Sequence, residues 1–396
     1  MKENKPKRHR NGNIGQVLKM KKYIMMILIA VIIIIAYIAN TPFKASAVDI
    51  IDAVDIYTQE LREMERVIDG ADTAFDVNMA SIFRDAIAGD LDLSPGGIMN
   101  SFLRLLFSEV FENAALLRNL LIIGIISAIL HNITSSFENS AIGEIGFYVS
   151  YLAMVSMLFS SFRIAVSVFS DLMMTVSMFI EAGIPLFISL VIMSGNVAGA
   201  TVFNSVLMFA VVFVGRFISW GIGPAIMSAA ALNMVNFIDE KDMLTKLAEL
   251  IKKVISWILK VLAISIVSII SIQRISTPLA NNLFMRAARS AVNTVPVVGS
   301  VLTGALENVM YLARLLRGGV LVVVIITMIA ICLMPMLKLL ALILTYKVAA
   351  ALIQPICDDR IVDCLEAAAD YTALLLSAAV IVSMMFLVSV IIMLTI

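Results

Sequence analysis

The sequence predicts an all-α fold: a polytopic transmembrane helical bundle, with about seven spans after a signal peptide and with interfacial amphipathic helices beside them. Three observations predict it. Hydrophobic residues make up 61% of the 396-residue chain, only 15% are charged, and mean hydropathy is +1.00. Soluble domains run about 45–50% apolar and about 25% charged, so water could not be the solvent for most of this surface. Apolar segments long enough to cross a bilayer, about 20 residues each, recur from about residue 114 to Ile396. A basic leader and an apolar run precede them.

The leader carries Lys2, Lys5, Lys7, Arg8, Arg10, Lys19, Lys21 and Lys22 against Glu3, followed by the apolar run from Tyr23 to Ala39. The triplet Ala45-Ser46-Ala47 then supplies an A-x-A cleavage site, predicting a secretory signal peptide over 1–47 with the cut between Ala47 and Val48. An uncleaved anchor is the alternative, because the apolar run is long for a signal. Either way the basic end stays cytoplasmic and residue 48 onward begins outside.

Residues 48–112 form an acidic extracytoplasmic helical segment, in which Asp and Glu side chains outnumber Arg62, Arg66, Arg84 and Arg104. Leu61, Met64 and Ile68, then Ile82, Phe83 and Ile87, mark short amphipathic helices, and a solvated arm is the simplest reading. Ser94-Pro95-Gly96-Gly97 is a break, and Ser94 could cap a helix through Phe102, Leu105, Leu106 and Val110.

The multispan domain, 113–396, offers spans near 114–133, 145–167, 172–193, 200–222, 254–272, 318–345 and 371–396. The stretch Ile222–Ile238, broken by Gly223 and Pro224, could be an eighth span or a re-entrant piece. Residues 273–317 hold five arginines against Glu307 and should be cytoplasmic, whereas 346–370 is acidic enough to lie outside. That parity favours seven crossings with the C-terminus inside; six or eight stay open. Residues 239–253 and 299–317 show apolar stripes opposite charge, the pattern of interfacial helices or partner-docking faces, the second ended by Gly318-Gly319. A simple elbow between spans is the plainer reading of both.

Charges inside spans cost about 2.5–3.5 kcal/mol each on insertion scales, so they face a partner or a water-filled path. The intramembrane polar candidates are Glu181, Lys338, Asp171 and Arg216, with Lys338 one turn beyond the helix breaker Pro335. Packing against a neighbouring helix is the plainer role for Glu181 and Lys338, and snorkelling for Arg163 and Arg216. The arginines Arg286, Arg289, Arg314 and Arg317 are candidates for docking a cytoplasmic partner. No phosphate-binding loop and no H-E-x-x-H zinc motif occurs, and Cys332, Cys357 and Cys364 lack zinc spacing. An enzyme is therefore the weaker class, no cofactor is implied, and nothing points to nucleic acid.

Several local phrases resemble one family. They are Gly183-Ile-Pro-Leu with the Met-Ser-Gly-Asn turn after it, Asn293-Thr-Val-Pro-Val-Val-Gly299, Pro335-Met-Leu-Lys338, and Tyr346-Lys-Val-Ala-Ala-Ala-Leu-Ile-Gln-Pro355 with Cys364-Leu365. In this order they resemble the stage III sporulation protein AE family, multipass membrane proteins of endospore-forming bacteria. The loop from Cys357 to Ile361 departs from the Gly-rich version of that family. The resemblance implies a place in the mother-cell membrane around the forespore, within a complex of the proteins AA to AH that includes a cytoplasmic ATPase. It also implies a link to stage II sporulation protein Q across the intermembrane space, and a role in late forespore gene expression. A subunit of this kind resembles a permease or export gate. The alternatives are a non-conducting scaffold for the complex and a stand-alone secondary transporter.

Overall fold

The computed structural model describes residues 61–71, 73, 78–88, 95–135, 140–193, 213–236, 246–262, 264, 268 and 298–395. The signal-peptide residues Ala45, Ala47 and Val48, and the arginines Arg286 and Arg289, lie outside that set. Among the described residues the regular structure is helical and no strand occurs. In chain order the helices are α1 (61–68), α2 (Met79–Ala88), α3 (Pro95–Glu112), α4 (Ala114–Ser135), α5 (Ser140–Met193), α6 (Gly223–Asn236), α7 (246–262), α8 (Val298–Ile353) and α9 (Asp359–Thr395).

The short helices of the acidic segment form where the apolar spacing predicts them. Leu61, Met64 and Ile68 of α1 and Met79 and Phe83 of α2 are buried. Asn78 caps α2: its Oδ1 accepts from the Ser81 amide at 2.9 Å, satisfying a donor the first turn leaves open. These helices are no solvated arm, since α2 and α3 both pack against α8. Helix α3 starts at Pro95, where a missing N–H costs nothing, so Gly96 and Gly97 fall inside its first turn.

Helices α3 and α4 meet at Asn113 with a 44° bend and together have the length and apolarity of a broken span or a re-entrant loop. Their surface polarity is inverted relative to a soluble helix pair. Phe107 and Phe111 are 60% and 75% exposed, and Ile122, Ile125, Ile126 and Ile129 face outward as well, while Glu109 is 3% exposed. On α4 the buried residues include the small Gly124, Ser127 and Ala128, a pattern that lets membrane helices approach closely. A Cβ placed on Gly124 would meet Ile353 of α8 at 2.9 Å.

Helix α5 is continuous through 168–171, where the sequence suggested a turn between two spans. Its polar side chains bond within the helix instead of ending it. The Ser167 hydroxyl donates to Asp171 at 3.3 Å, and the Thr175 hydroxyl donates to the Asp171 carbonyl at 2.9 Å. At about 1.5 Å per residue, 54 residues reach about 80 Å, well over twice the thickness of the hydrocarbon layer. Helix α8, at 56 residues, is as long, and it carries the proposed interfacial stripe 299–317 and the apolar stretch 318–345 without a break. Gly318 and Gly319 do not end it; a helical glycine costs only about 1 kcal/mol against alanine.

Four described helical stretches are long and apolar enough to cross a membrane, within α5, α8 and α9 and over Phe213–Asn236, where the π-helical turn Ile218–Ile222 leads into α6; there are five if the bent pair is one span. The bundle core is the α8–α9 hairpin, with α5 packed on both. Its turn is 354–358, so most of the acidic stretch 346–370 is helix rather than loop. As Gln354-Pro355 predicts, α8 ends at Ile353; Asp358 then caps α9 by accepting from the Arg360 amide at 2.9 Å. Buried hydroxyls satisfy themselves one turn back: Thr345, Thr372, Ser377 and Ser389 each donate to the carbonyl four residues earlier.

Long-range hydroxyl bonds fix the register of α5 between its neighbours. Tyr151, fully buried, donates to the Met234 carbonyl of α6 at 2.6 Å, and the hydroxyls of Ser161 and Tyr346 share a hydrogen bond linking α5 to α8. Tyr151→Phe removes the first bond without changing shape. We expect a loss of about 1 kcal/mol, the usual scale for a hydroxyl bond between membrane helices, read as a shift in the unfolding midpoint in mixed micelles.

Candidate functional site

The helices α3, α4, α5 and α8 line a half-open cavity of about 500 Å³. Polar groups enter it from every wall: Glu109 and Glu112 from the end of α3, Asn119 from α4, Ser160 and Ser161 from α5, and Lys338 from α8. Each comes from a local feature of the chain. Lys338 follows Pro335, which sits inside α8 without breaking it. Asn113 sits at the α3–α4 bend, where its side-chain amide donates to the Glu109 carbonyl at 2.9 Å.

Two acids, a lysine, amides and hydroxyls around one space form an electrostatically mixed site. It can hold water, or a small charged or zwitterionic solute, between helices of membrane length. Glu109 is the one acid or base among the buried residues described, so burial alone marks it out. A buried carboxylate is costly unless it is hydrogen-bonded or paired, and the polar groups of the cavity wall are the candidates to do so.

Of the residues singled out by sequence, Lys338 lines this cavity. Glu181 and Asp171 lie elsewhere, on an exposed stripe of α5 with Met174, Met178 and Pro185. Val168, which shares the cavity wall with Lys338, lies about 20 Å of helix from Glu181. Arg216 is also exposed, and its neighbour Gly215 sits tight against Ser177 of α5, where a Cβ would meet the hydroxyl at 2.6 Å. That contact brings Arg216 to the stretch of α5 between Asp171 and Glu181. Arg317 is half-buried on α8, and the side chain of Arg314 lies outside the described residues.

Glu109, Glu112, Asn113 and Asn119 escaped the sequence reading. The available signal was the company Glu109 keeps: Phe107 and Phe111 on one side of a turn and an acid on the other. Among the described residues no group of three or more His, Cys, Asp or Glu could hold a metal ion.

A sequence profile described as Stage III sporulation protein AE matches residues 77–396, which takes in α2 to α9. The chain belongs to the stage III sporulation protein AE family. It is similar to stage III sporulation protein AE of Bacillus subtilis (strain 168), 29% identical over 310 residues that cover 78% of each chain. No solved structure matches it. Membership of the stage III sporulation protein AE family supports a role in sporulation and a membrane protein of the stage III set. Three of the phrases that carry the resemblance fall on packing and cavity contacts, Gly183 against Met64, Lys338 in the cavity and Tyr346 on Ser161, while 194–196 and 293–297 lie outside the described residues.

The three cysteines are free thiols, with Cys332 and Cys364 buried in α8 and α9. Cys357, in the turn, donates to the Gly124 carbonyl at 3.1 Å. Burial pushes its thiol above the ordinary range, and the Asp358 charge beside it pushes the same way. Only the thiolate attacks an alkylating reagent, so labelling of Cys357 should be slow near neutrality and accelerate above the ordinary thiol pKa. Asp358→Asn should lower that threshold; an unchanged rate profile would show that the aspartate exerts no field on the sulfur.

Proposed function

We propose that this chain is the permease-like or export-gate-like membrane subunit of a channel or secretion-like complex between mother cell and forespore. The observation supporting this reading is the cavity of Lys338, Glu109 and Glu112 between membrane-length helices. Charge placed there lowers the stability of insertion, and such residues in membrane proteins usually serve a solute or proton path. The chain is not itself an enzyme in this reading; the energy comes from a partner ATPase. By resemblance, its location is the mother-cell membrane around the forespore, and its partners are the other AA to AH proteins. Stage II sporulation protein Q reaches it across the intermembrane space. Arg286, Arg289, Arg314 and Arg317 are the proposed docking row for the cytoplasmic ATPase.

The test is a pair of sporulating strains carrying Glu109→Gln alone or Glu109→Gln with Lys338→Met, which remove the cavity's charges without leaving a buried one unbalanced. If the bundle conducts, late forespore gene expression stops in both while the complex still co-purifies. Normal spores from both strains would leave a non-conducting scaffold as the better description. Charge reversal of the four arginines should release the ATPase from the purified complex; undiminished co-purification would remove that docking row.

A further inference from the structure

Helix α7 packs on the bundle through one narrow face, Ala248, Ile255 and Leu259, each 1–3% exposed. The rest of it is unusual for any water-facing surface. Leu247, Leu250, Val254, Trp257, Val261 and Ile264 form an outward stripe spaced alternately three and four residues apart, and each is 39–67% exposed. Beside it runs a second stripe at seven-residue spacing, Lys246, Lys253 and Lys260, all exposed. Trp257 stands one turn from both Lys253 and Lys260 and with them lines a groove of about 470 Å³ that also contains Lys252, Ser256 and Glu249.

The helix is held in place by its other lysine. Lys252 pairs with Asp370 of α9 at 3.2 Å and lies 5.2 Å from the centre of the Tyr371 ring. Lys253 is 3.5 Å from Glu249, but at 80% and 60% side-chain exposure that pair is weak and exchangeable. Lys253 and Lys260 are therefore available to an anion brought to the groove.

We infer that α7 carries a seat for an anionic phospholipid, with the acyl chains along Leu250, Val254 and Val261 and the phosphate between Lys253 and Lys260. Three features favour lipid over a partner helix. A row of lysines flanking an apolar stripe, with tryptophan between, is the pattern of a helix at the headgroup level. Lysine stems extend along apolar surface while their ammonium groups reach the phosphates. The lysine row has no acidic row across the stripe to pair the edge of a second helix, as a coiled coil would. This inference is independent of whether the bundle conducts.

The chain has two tryptophans, so Trp220→Phe leaves Trp257 as its sole indole. The full-length variant is reconstituted in vesicles of phosphatidylcholine with a minor fraction of phosphatidylglycerol, and one or the other lipid is brominated. Brominated phosphatidylglycerol should quench Trp257 beyond its bulk mole fraction, and Lys253→Gln with Lys260→Gln should remove the preference, about fivefold in local partitioning per lysine. Lys253→Arg with Lys260→Arg should keep it. Equal quenching by both brominated lipids would overturn the proposal, as would no quenching at all, which would mean that protein covers the stripe. Loss of the preference on adding millimolar inorganic phosphate at constant ionic strength would assign the seat to free phosphate and equally overturn the lipid reading.

Discussion

Lys338→Met will destabilise the bundle by about 1–3 kcal/mol, the scale for leaving a buried polar group short of a partner. The argument rests on who shares the cavity. Glu109 is 3% exposed, and the cavity wall it shares with Lys338, Glu112, Asn119 and Ser160 contains one cation. Methionine fills nearly the same volume as the lysine stem, so packing around Leu342 and Ile164 changes little. What the substitution removes is the positive charge that lines the cavity together with two carboxylates. Glu109→Gln in the same chain should return at least half of the loss, because a neutral amide needs no counter-charge. Equilibrium unfolding of wild type, both single variants and the double variant in mixed micelles gives the coupling directly. Strict additivity would show that the two groups share a cavity without sensing each other. Lys338→Arg should hold both stability and spore maturation near wild type, since the charge stays while its fork reaches the same wall.

Much of the architecture was legible because helices in lipid and in water obey the same local rules. The i, i+3, i+7 spacing of Leu61, Met64 and Ile68 predicts the buried face of α1, and Gln354-Pro355 predicts the end of α8. The breaks at 168–171 and at Gly318-Gly319 were read wrongly for a physical reason. A polar pair or two glycines suggests a helix end in water, where the backbone has an alternative partner. Within these helices Ser167, Asp171 and Thr175 spend their hydrogen bonds on one another and on their own backbone, and nothing competes to unwind the turn. The cavity was half legible. Lys338 stands out because a lysine in an apolar run is conspicuous, but Glu109 sits in a stretch already rich in acids. Its inward direction depends on where α8 lies, and that is a long-range fact no local pattern carries. Glu181 is conspicuous by the same local criterion, yet it lies on the exposed stripe.

Gly183→Leu should detach α1 from the bundle while leaving α5 helical. A Cβ at this position would collide with the ring of Phe187 one turn on, and would come within 2.9 Å of the Met64 methyl group. Both neighbours are fully buried, so neither has open space to retreat into. Alanine already forces the ring to move before ordinary contact is restored; leucine adds three more carbons and must evict one of the two. Met64 belongs to a short helix with few other anchors, Leu61 and Ile68, whereas Phe187 is held along a helix of 54 residues. The short helix should therefore give way, at a cost of about 1–3 kcal/mol for overpacking. Its release is measured with Ile68→Cys, a position 5% exposed on the same helix, in a background lacking the natural cysteines. A water-soluble thiol reagent should label that cysteine at least about tenfold faster in the Gly183→Leu chain, the ratio that about 1.4 kcal/mol of opening gives when labelling follows local exposure. Phe187→Leu combined with Gly183→Ala should restore protection by returning the lost space. If labelling stays slow in the leucine variant, α1 is anchored by contacts other than the glycine notch, and α5 has yielded instead.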